Sequence, residues 1–185
     1  MSLGRTSRNS LIAVGIYAGL ILAFTLVSLR VAVPPSEVGH LRTLDTIPSH
    51  LALLAVGGVL LGLAAAAVHR HVDLRLMVLI PTFVVLTDLD HLPSALDISQ
   101  PVRPAHSFFF ALAVFVLIAA ATKDYGLSFA ALAGFFGHIG VDTGEFAFFS
   151  PVSYQDYYTN PDYQVAFIAV ALACTFVAGY FLKRS

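Results

Sequence analysis

The sequence predicts an all-α, polytopic membrane protein: a single transmembrane helical domain over residues 1–185, with about six transmembrane helices. Three observations carry that fold class. Of 185 residues, 58% are hydrophobic, only 11% are charged, and mean hydropathy is +0.83; a soluble domain carries about 25% charged residues. The apolar residues are gathered into long runs, which a soluble core does not need. Lys and Arg then fall in alternate connections, the bias that orients membrane proteins.

A helix needs roughly 20 apolar residues to cross a bilayer, and six segments compete for that role. Leu11–Leu29 holds no charge between Asn9 and Arg30. It lacks a clean small-residue cleavage site before VAVPPSE and reads as a retained helix, not a cleaved signal. Leu51–Val68 is rich in Gly and Ala, which suits close helix packing in lipid. Leu76–Thr87 is short and contains Pro81, so the third helix is expected to be short or broken. Ser107–Thr122 opens on a Phe triplet. Tyr125–Val141 carries small residues at Gly134, Gly137 and Gly140, and Gln164–Leu182 closes the series.

With the N-terminus in the cytoplasm and six crossings, Arg5, Arg8, Arg70, Arg75, Lys123, Lys183 and Arg184 fall inside, and only Arg30, Arg42 and Arg103 outside. The expected location is therefore the cell membrane, with both termini cytoplasmic. Cys174 is the single cysteine, so no disulfide framework exists. No basic stripe is present, and nucleic acid is not an expected partner. Oligomeric state is not readable from the sequence.

In this topology four polar motifs reach the outer face together. They are Ser49–His50 before the second segment, T-D-L-D-H at 87–91 after the third, R-P-A-H-S at 103–107 before the fourth, and G-H-I-G-V-D at 137–142 ending the fifth. The spacings suit a metal. His138 and Asp142 are i and i+4, on one helix face. Asp88 and His91 are i and i+3, also on one face if the helix continues, and His106 adds a third imidazole. Imidazole with carboxylate suits a divalent ion, zinc first among them. The expected ligands of a single ion are thus Asp88, His91, His106, His138 and Asp142. His69 and His71, flanking Arg70, read as a solvated inner loop.

The order of these motifs resembles the YdjM-type family, described as membrane-bound, metal-dependent hydrolases. T-D-L-D-H-L at 87–92 resembles its P-D-[LI]-D-H-P motif without the flanking prolines. P-V-R-P-A-H-S at 101–107 resembles H-R-G-x-T-H-S, with Pro101 in place of the first His and the basic residue at Arg103. Gly137, His138 and Asp142 match G-H-x-x-x-D. His50 before L-A-L-L-A-V-G-G, and F-F-S-P-V-S at 148–153, resemble its early His and late aromatic-Pro stretch. The likeness covers about residues 48–155 and leaves the first and last helices outside.

The resemblance implies a hydrolase. A catalytic metal makes hydroxide available from bound water near neutral pH, and a carboxylate beside it carries the proton. Asp90 is the expected proton carrier, because on a continuing helix it points about 100° away from His91 and can face the substrate. Arg103 is expected to hold a phosphate or carboxylate of the substrate in its guanidinium fork, with His50 as a further substrate contact. Ser107 reads as a helix-start residue. The outer-edge position favours a membrane lipid or lipid-linked ester or phosphoester. Two other classes stay open: a proton- or ion-coupled transporter, and a scaffold whose metal is structural.

Overall fold

The computed structural model describes residues 4–29, 47–95, 98, 103–142, 145–150, 157–159 and 162–183, with backbone alone at 47–50, 94–95, 145–146 and 157–159. The described chain is helical but for one small hairpin. The helices are α1 (Arg5–Ser28), α2 (Ile47–His69), α3 (Leu74–Leu86), the one-turn α4 (Leu92–Ala95), α5 (Phe108–Thr122), α6 (Tyr125–Val141) and α7 (Asp162–Leu182). Two 3₁₀ turns, Thr87–His91 and Pro104–His106, carry the polar motifs.

Three helices are long and apolar enough to cross a membrane: Arg5–Ser28, Leu51–His69 and Asp162–Leu182. α5 and α6 are apolar but shorter, with 15 and 17 residues. α3 has 13 residues and runs unbroken through Pro81. The third segment is therefore short but not interrupted at Pro81. Large apolar side chains point out of the bundle: Leu26, Leu60, Val78, Leu112 and Val165 are 59–73% exposed. An outward apolar belt of this kind is tolerable against lipid and costly against water.

α6 is the central element, packed against α7, α3, α5 and α2. Its glycines explain how. A methyl at Gly134 would collide with Cβ of Phe83 and lie 3.1 Å from the Phe83 carbonyl carbon. On α2, a methyl at Gly58 would lie 2.6 Å from Cα of Pro81. Close backbone approach through small residues is what lipid-embedded helices use to gain packing. α1 joins through a stripe at near four-residue spacing, Asn9, Ala13, Tyr17, Ile21, Thr25 and Ser28. Tyr17 sits between Phe83 and Phe110, with ring centroids 4.8 and 5.3 Å away.

One end of the bundle is closed by side-chain caps. Asp73 caps α3 and Asp124 caps α6, each accepting from a backbone N–H of the first turn. Arg75 donates to Asp73 and to the Leu182 carbonyl at 2.7 Å, and Asn9 donates to the Thr122 carbonyl. His69 is not the solvated loop residue the sequence suggests: its Nε2 donates to the Phe176 carbonyl at 3.0 Å. Burial raises the Asp73 carboxyl, but hydrogen bonds from Arg75 and its charge outweigh that and hold it below the usual carboxylate range.

At the other end, strands β1 (Glu145–Ala147) and β2 (Tyr157–Thr159) form an antiparallel hairpin, with Phe146 opposite Tyr158. Ala147 bridges to Ser107, and Phe109 N–H donates to the Phe148 carbonyl at 3.0 Å. The fold class remains all-α, and this hairpin is a small addition to the helical bundle that the sequence did not signal. Strands of three residues are too short to leave an alternating pattern in sequence. Ser107 is the N-cap of α5, accepting from Phe110 N–H while donating to the Ser150 carbonyl at 2.8 Å. The α5 start and the hairpin are thereby locked together beside the polar motifs.

Candidate metal centre

Three elements meet at that end. The last turn of α6 supplies His138, and Asp142 is its C-cap residue. The 3₁₀ turn before α5 supplies His106, and the 3₁₀ turn after α3 supplies Asp88, Asp90 and His91. His106, His138 and Asp142 each bring a ligand atom within 4.8 Å of the other two, so together they could hold a metal ion. Both histidines are fully buried.

The orientation of each ring is set by its other nitrogen. His138 Nδ1 donates to the Val84 carbonyl at 2.9 Å, which leaves a lone pair on Nε2. His106 Nδ1 lies 3.2 Å from Asp90 Oδ2 and donates to it. The two Nε2 atoms then face each other at 3.1 Å. Two lone pairs at that distance repel, so a cation has to lie between them, either a proton or a metal. A histidine fixed by a carboxylate or carbonyl behind it is the standard support for a metal ligand.

Asp142 completes the group. Its Oδ2 lies 3.8 Å from His106 Nε2 and 3.1 Å from Arg103 Nη1. Its backbone is held as well, because its N–H donates to the His138 carbonyl and its carbonyl accepts from Gln164. Asp88 Oδ1 lies 3.7 Å from His138 Nε2 and 3.5 Å from His91 Nε2. His91 Nε2 is also 3.7 Å from Asp90 Oδ1.

Three carboxylates, Asp88, Asp90 and Asp142, crowd against one guanidinium, Arg103. Buried charge is expensive unless it is paired, so the centre calls for added positive charge. The groups in the 3₁₀ turns respond accordingly. Burial opposes ionisation of Asp90, yet His106, His91 and Arg103 outweigh it and hold Asp90 at about 2. Burial opposes a charged His106, but Asp90 and Asp142 outweigh it and raise that imidazole to about 9. Burial lowers His91 to about 4, so at neutral pH it is uncharged. Without a metal, the proton on His106 plays the cation's part between the two rings.

Several sequence expectations change here. The T-D-L-D-H stretch is a 3₁₀ turn, not a continuing α-helix. A 3₁₀ turn eclipses residues i and i+3, so Asp88 and His91 do share a face. Asp90 does not face outward. It is 1% exposed and lies behind His106, accepting from the Ala105 N–H as well as the imidazole. The five expected ligands do not surround one point: His106, His138 and Asp142 form one group, and His91 stands on the far side of Asp88. Arg103 is paired with Asp142. The side chain of His50 lies outside the described residues, as do residues 151–153 of the late aromatic-Pro motif.

Sequence reasoning missed three supports. Tyr17 meets Thr87 Oγ1 at 2.8 Å, and Thr87 in turn donates to the Phe83 carbonyl, tying α1 to the base of the 3₁₀ turn. The Val84 carbonyl and Gln164 hold His138 and Asp142. Only Tyr17 had a signal, as a polar residue on the four-spaced stripe of α1. Comparison of the chain with protein-family models, with curated proteins and with solved structures gives no match in any of the three.

Proposed function

We propose that this protein is a membrane-embedded, metal-dependent hydrolase of the YdjM-like kind, acting on a lipid or lipid-linked ester or phosphoester near the outer membrane face. The observation that carries the reading is the pair of opposed Nε2 atoms of His106 and His138, 3.1 Å apart with the Asp142 carboxylate beside them. Two imidazoles and one carboxylate make a three-ligand set of the sort that leaves a position open on a catalytic zinc. A metal held there would lower the pKa of its water towards neutrality.

The chain's own groups divide the remaining work. Asp90 and the Val84 carbonyl hold the two rings with Nε2 pointing inward. Arg103 holds Asp142 in place and, partly exposed at the rim, offers positive charge to an anionic group of the substrate. Asp88, near His138 but on the open side of Asp90, takes the proton-carrier role that the sequence assigned to Asp90.

The placement in the membrane follows the charge distribution. The inner residues of the proposed topology, Arg75, Lys123 and Lys183, lie on the capped end of the bundle, with Arg5 and Arg8 at the start of α1. The metal ligands lie at the opposite ends of α3 and α6. Cytoplasmic termini and an outward-facing centre satisfy the positive-inside bias. Purified protein loaded with zinc should release product from its native lipid extract, and His138→Ala should not. Full metal content with no turnover of any lipid class would remove the hydrolase reading and favour ion binding or transport.

A further inference from the structure

We infer that a cavity at the capped end of the bundle, between the start of α1, the α5–α6 turn and the end of α7, holds the phosphodiester headgroup of an anionic phospholipid. In the proposed topology this is the cytoplasmic leaflet. The site lies at the other end of the bundle from the metal centre and does not rest on the hydrolase reading.

The first observation is the cavity and its charge. Its volume is about 360 Å³, within the roughly 300–1,000 Å³ usual for small-ligand sites. α1 lines it with Arg5 and Asn9, one turn apart on the same face. The α5–α6 turn lines it with Lys123 and Asp124. Arg5 and Lys123 are exposed and form no ion pair among the described residues. Asp124 is occupied as the α6 cap, accepting from the Leu127 N–H at 3.3 Å. Two cations against that one carboxylate leave a single positive charge on the wall, which matches the single negative charge of a phosphodiester. Asn9 is 8% exposed and gives one amide N–H to the Thr122 carbonyl. Its second N–H is a further donor for a phosphate oxygen.

The second observation is the backbone of Lys123. It ends α5 in the left-handed region, at φ 56. Glycine is the residue that takes this position without a Cβ penalty, yet the chain places a lysine there, facing the cavity. A cation also suits the C-terminus of α5, and the variants below separate the two roles.

The third observation selects a lipid over a free anion. Tyr125 and Phe181 line the same cavity and are 55% and 37% exposed. Their ring centroids are 5.9 Å apart. Phe181 stacks on Phe129 at 6.0 Å, and Phe129 meets Phe115 at 5.1 Å. This aromatic run leads from the cavity along α6 and α5 towards the middle of the bundle. Phe115 lies seven residues before Thr122, about 10 Å along the helix. A phosphate bound between Arg5 and Lys123 therefore has an apolar track beside it for an acyl chain. Free phosphate would leave that track unused.

The test is a lipid titration of the full-length, delipidated protein in non-ionic detergent, read by native mass spectrometry, with melting followed by circular dichroism. The probes are phosphatidylglycerol, phosphatidylcholine with the same acyl chains, and inorganic phosphate. Wild type should retain one phosphatidylglycerol per chain and melt higher with it, while the other two probes leave melting unchanged. Arg5→Gln and Lys123→Gln should each weaken phosphatidylglycerol about five-fold, the usual effect of one basic residue at an anionic lipid surface. Lys123→Gly should melt at or above wild type without lipid and still lose the affinity. A Lys123→Gly protein that melts lower and binds lipid like wild type would leave Lys123 a helix-end residue only and overturn the site. Arg8→Gln, on the same helix but outside the cavity, should bind like wild type. An equal loss in Arg8→Gln would show a diffuse basic surface and overturn the site, as would equal retention of both lipids. A melting shift with inorganic phosphate equal to that with phosphatidylglycerol would overturn the lipid assignment in favour of a free anion.

Discussion

His106 and His138 face each other through Nε2 atoms 3.1 Å apart, each ring pinned from behind, one by Asp90 and the other by the Val84 carbonyl. The sequence separation is 32 residues. The contact exists because α6 packs against α3, with His138 bonded to the Val84 carbonyl, and the turn before α5 packs against the 3₁₀ turn that follows α3. Either ring alone would be an ordinary buried histidine. Opposed as they are, they need a cation between them, which a proton or a metal ion could supply.

The first prediction is on the ligands. His106→Ala and His138→Ala should each lose the bound metal, since two remaining ligands hold zinc poorly. Helix content by circular dichroism should stay near that of wild type. Retention of full metal by both variants would remove the assignment.

The second prediction separates a positioning role from a proton carrier. Asp90→Asn keeps the size of the side chain but weakens the support behind His106. A loss of about 10- to 100-fold in metal affinity is expected for a group of this kind. Saturating metal should restore much of the activity. An unchanged affinity with activity lost at saturating metal would make Asp90 the proton carrier that the sequence alone suggested.

Much of the architecture is legible in the sequence, because apolar runs and caps are local signals. Tyr125–Val141 is both the expected segment and the observed helix, and Ser107 is the cap its position suggests. α1 begins earlier than its apolar run, at Arg5, because a solvated first turn needs no hydrophobicity. The meeting of D-L-D-H, H-S and G-H-x-x-x-D was legible from topology alone. The division of labour within D-L-D-H was not. It depends on the chain tightening from α to 3₁₀ at Thr87, which turns Asp90 inward to His106. Tyr17, from a helix remote in sequence, braces that turn through Thr87.

A third prediction concerns orientation. Cys174 is buried in α7 and leaves little background for thiol labelling. A cysteine at Ser99, which lies outside the described residues, should react with an impermeant maleimide in intact cells. Reaction only after permeabilisation would invert the proposed topology.

A fourth prediction tests the packing of α6. Gly134→Ala places a methyl against Cβ and the backbone of Phe83, in the helix that leads into Asp88 and Asp90. Overpacking of this kind costs about 1–3 kcal/mol, and backbone cannot yield as a flexible side chain can. The melting temperature should fall, and metal affinity with it. A neutral result on both would mean that α3 and α6 are more loosely joined than the contact implies.

The last prediction is on pH and the capped end of the bundle. Arg75 donates through its backbone N–H and its guanidinium to Asp73, and also holds the Leu182 carbonyl. These contacts outweigh the effect of burial and depress the Asp73 pKa in the folded state. A depressed folded pKa means that the charged form stabilises the fold. That contribution is fully present above the unfolded value, about 3.9, and is lost as pH falls through the lower folded value. Asp73→Ala should cost about 1 kcal/mol near neutral pH, the usual worth of an N-cap. Asp73→Asn keeps a capping oxygen but not the charge, and should lose less. The chain has no Trp, so melting is best followed by circular dichroism. The gap in melting temperature between wild type and Asp73→Asn should be constant from neutral pH to about 5 and close below it. A gap that persisted at low pH would show that the charge on Asp73 is not what separates the two proteins.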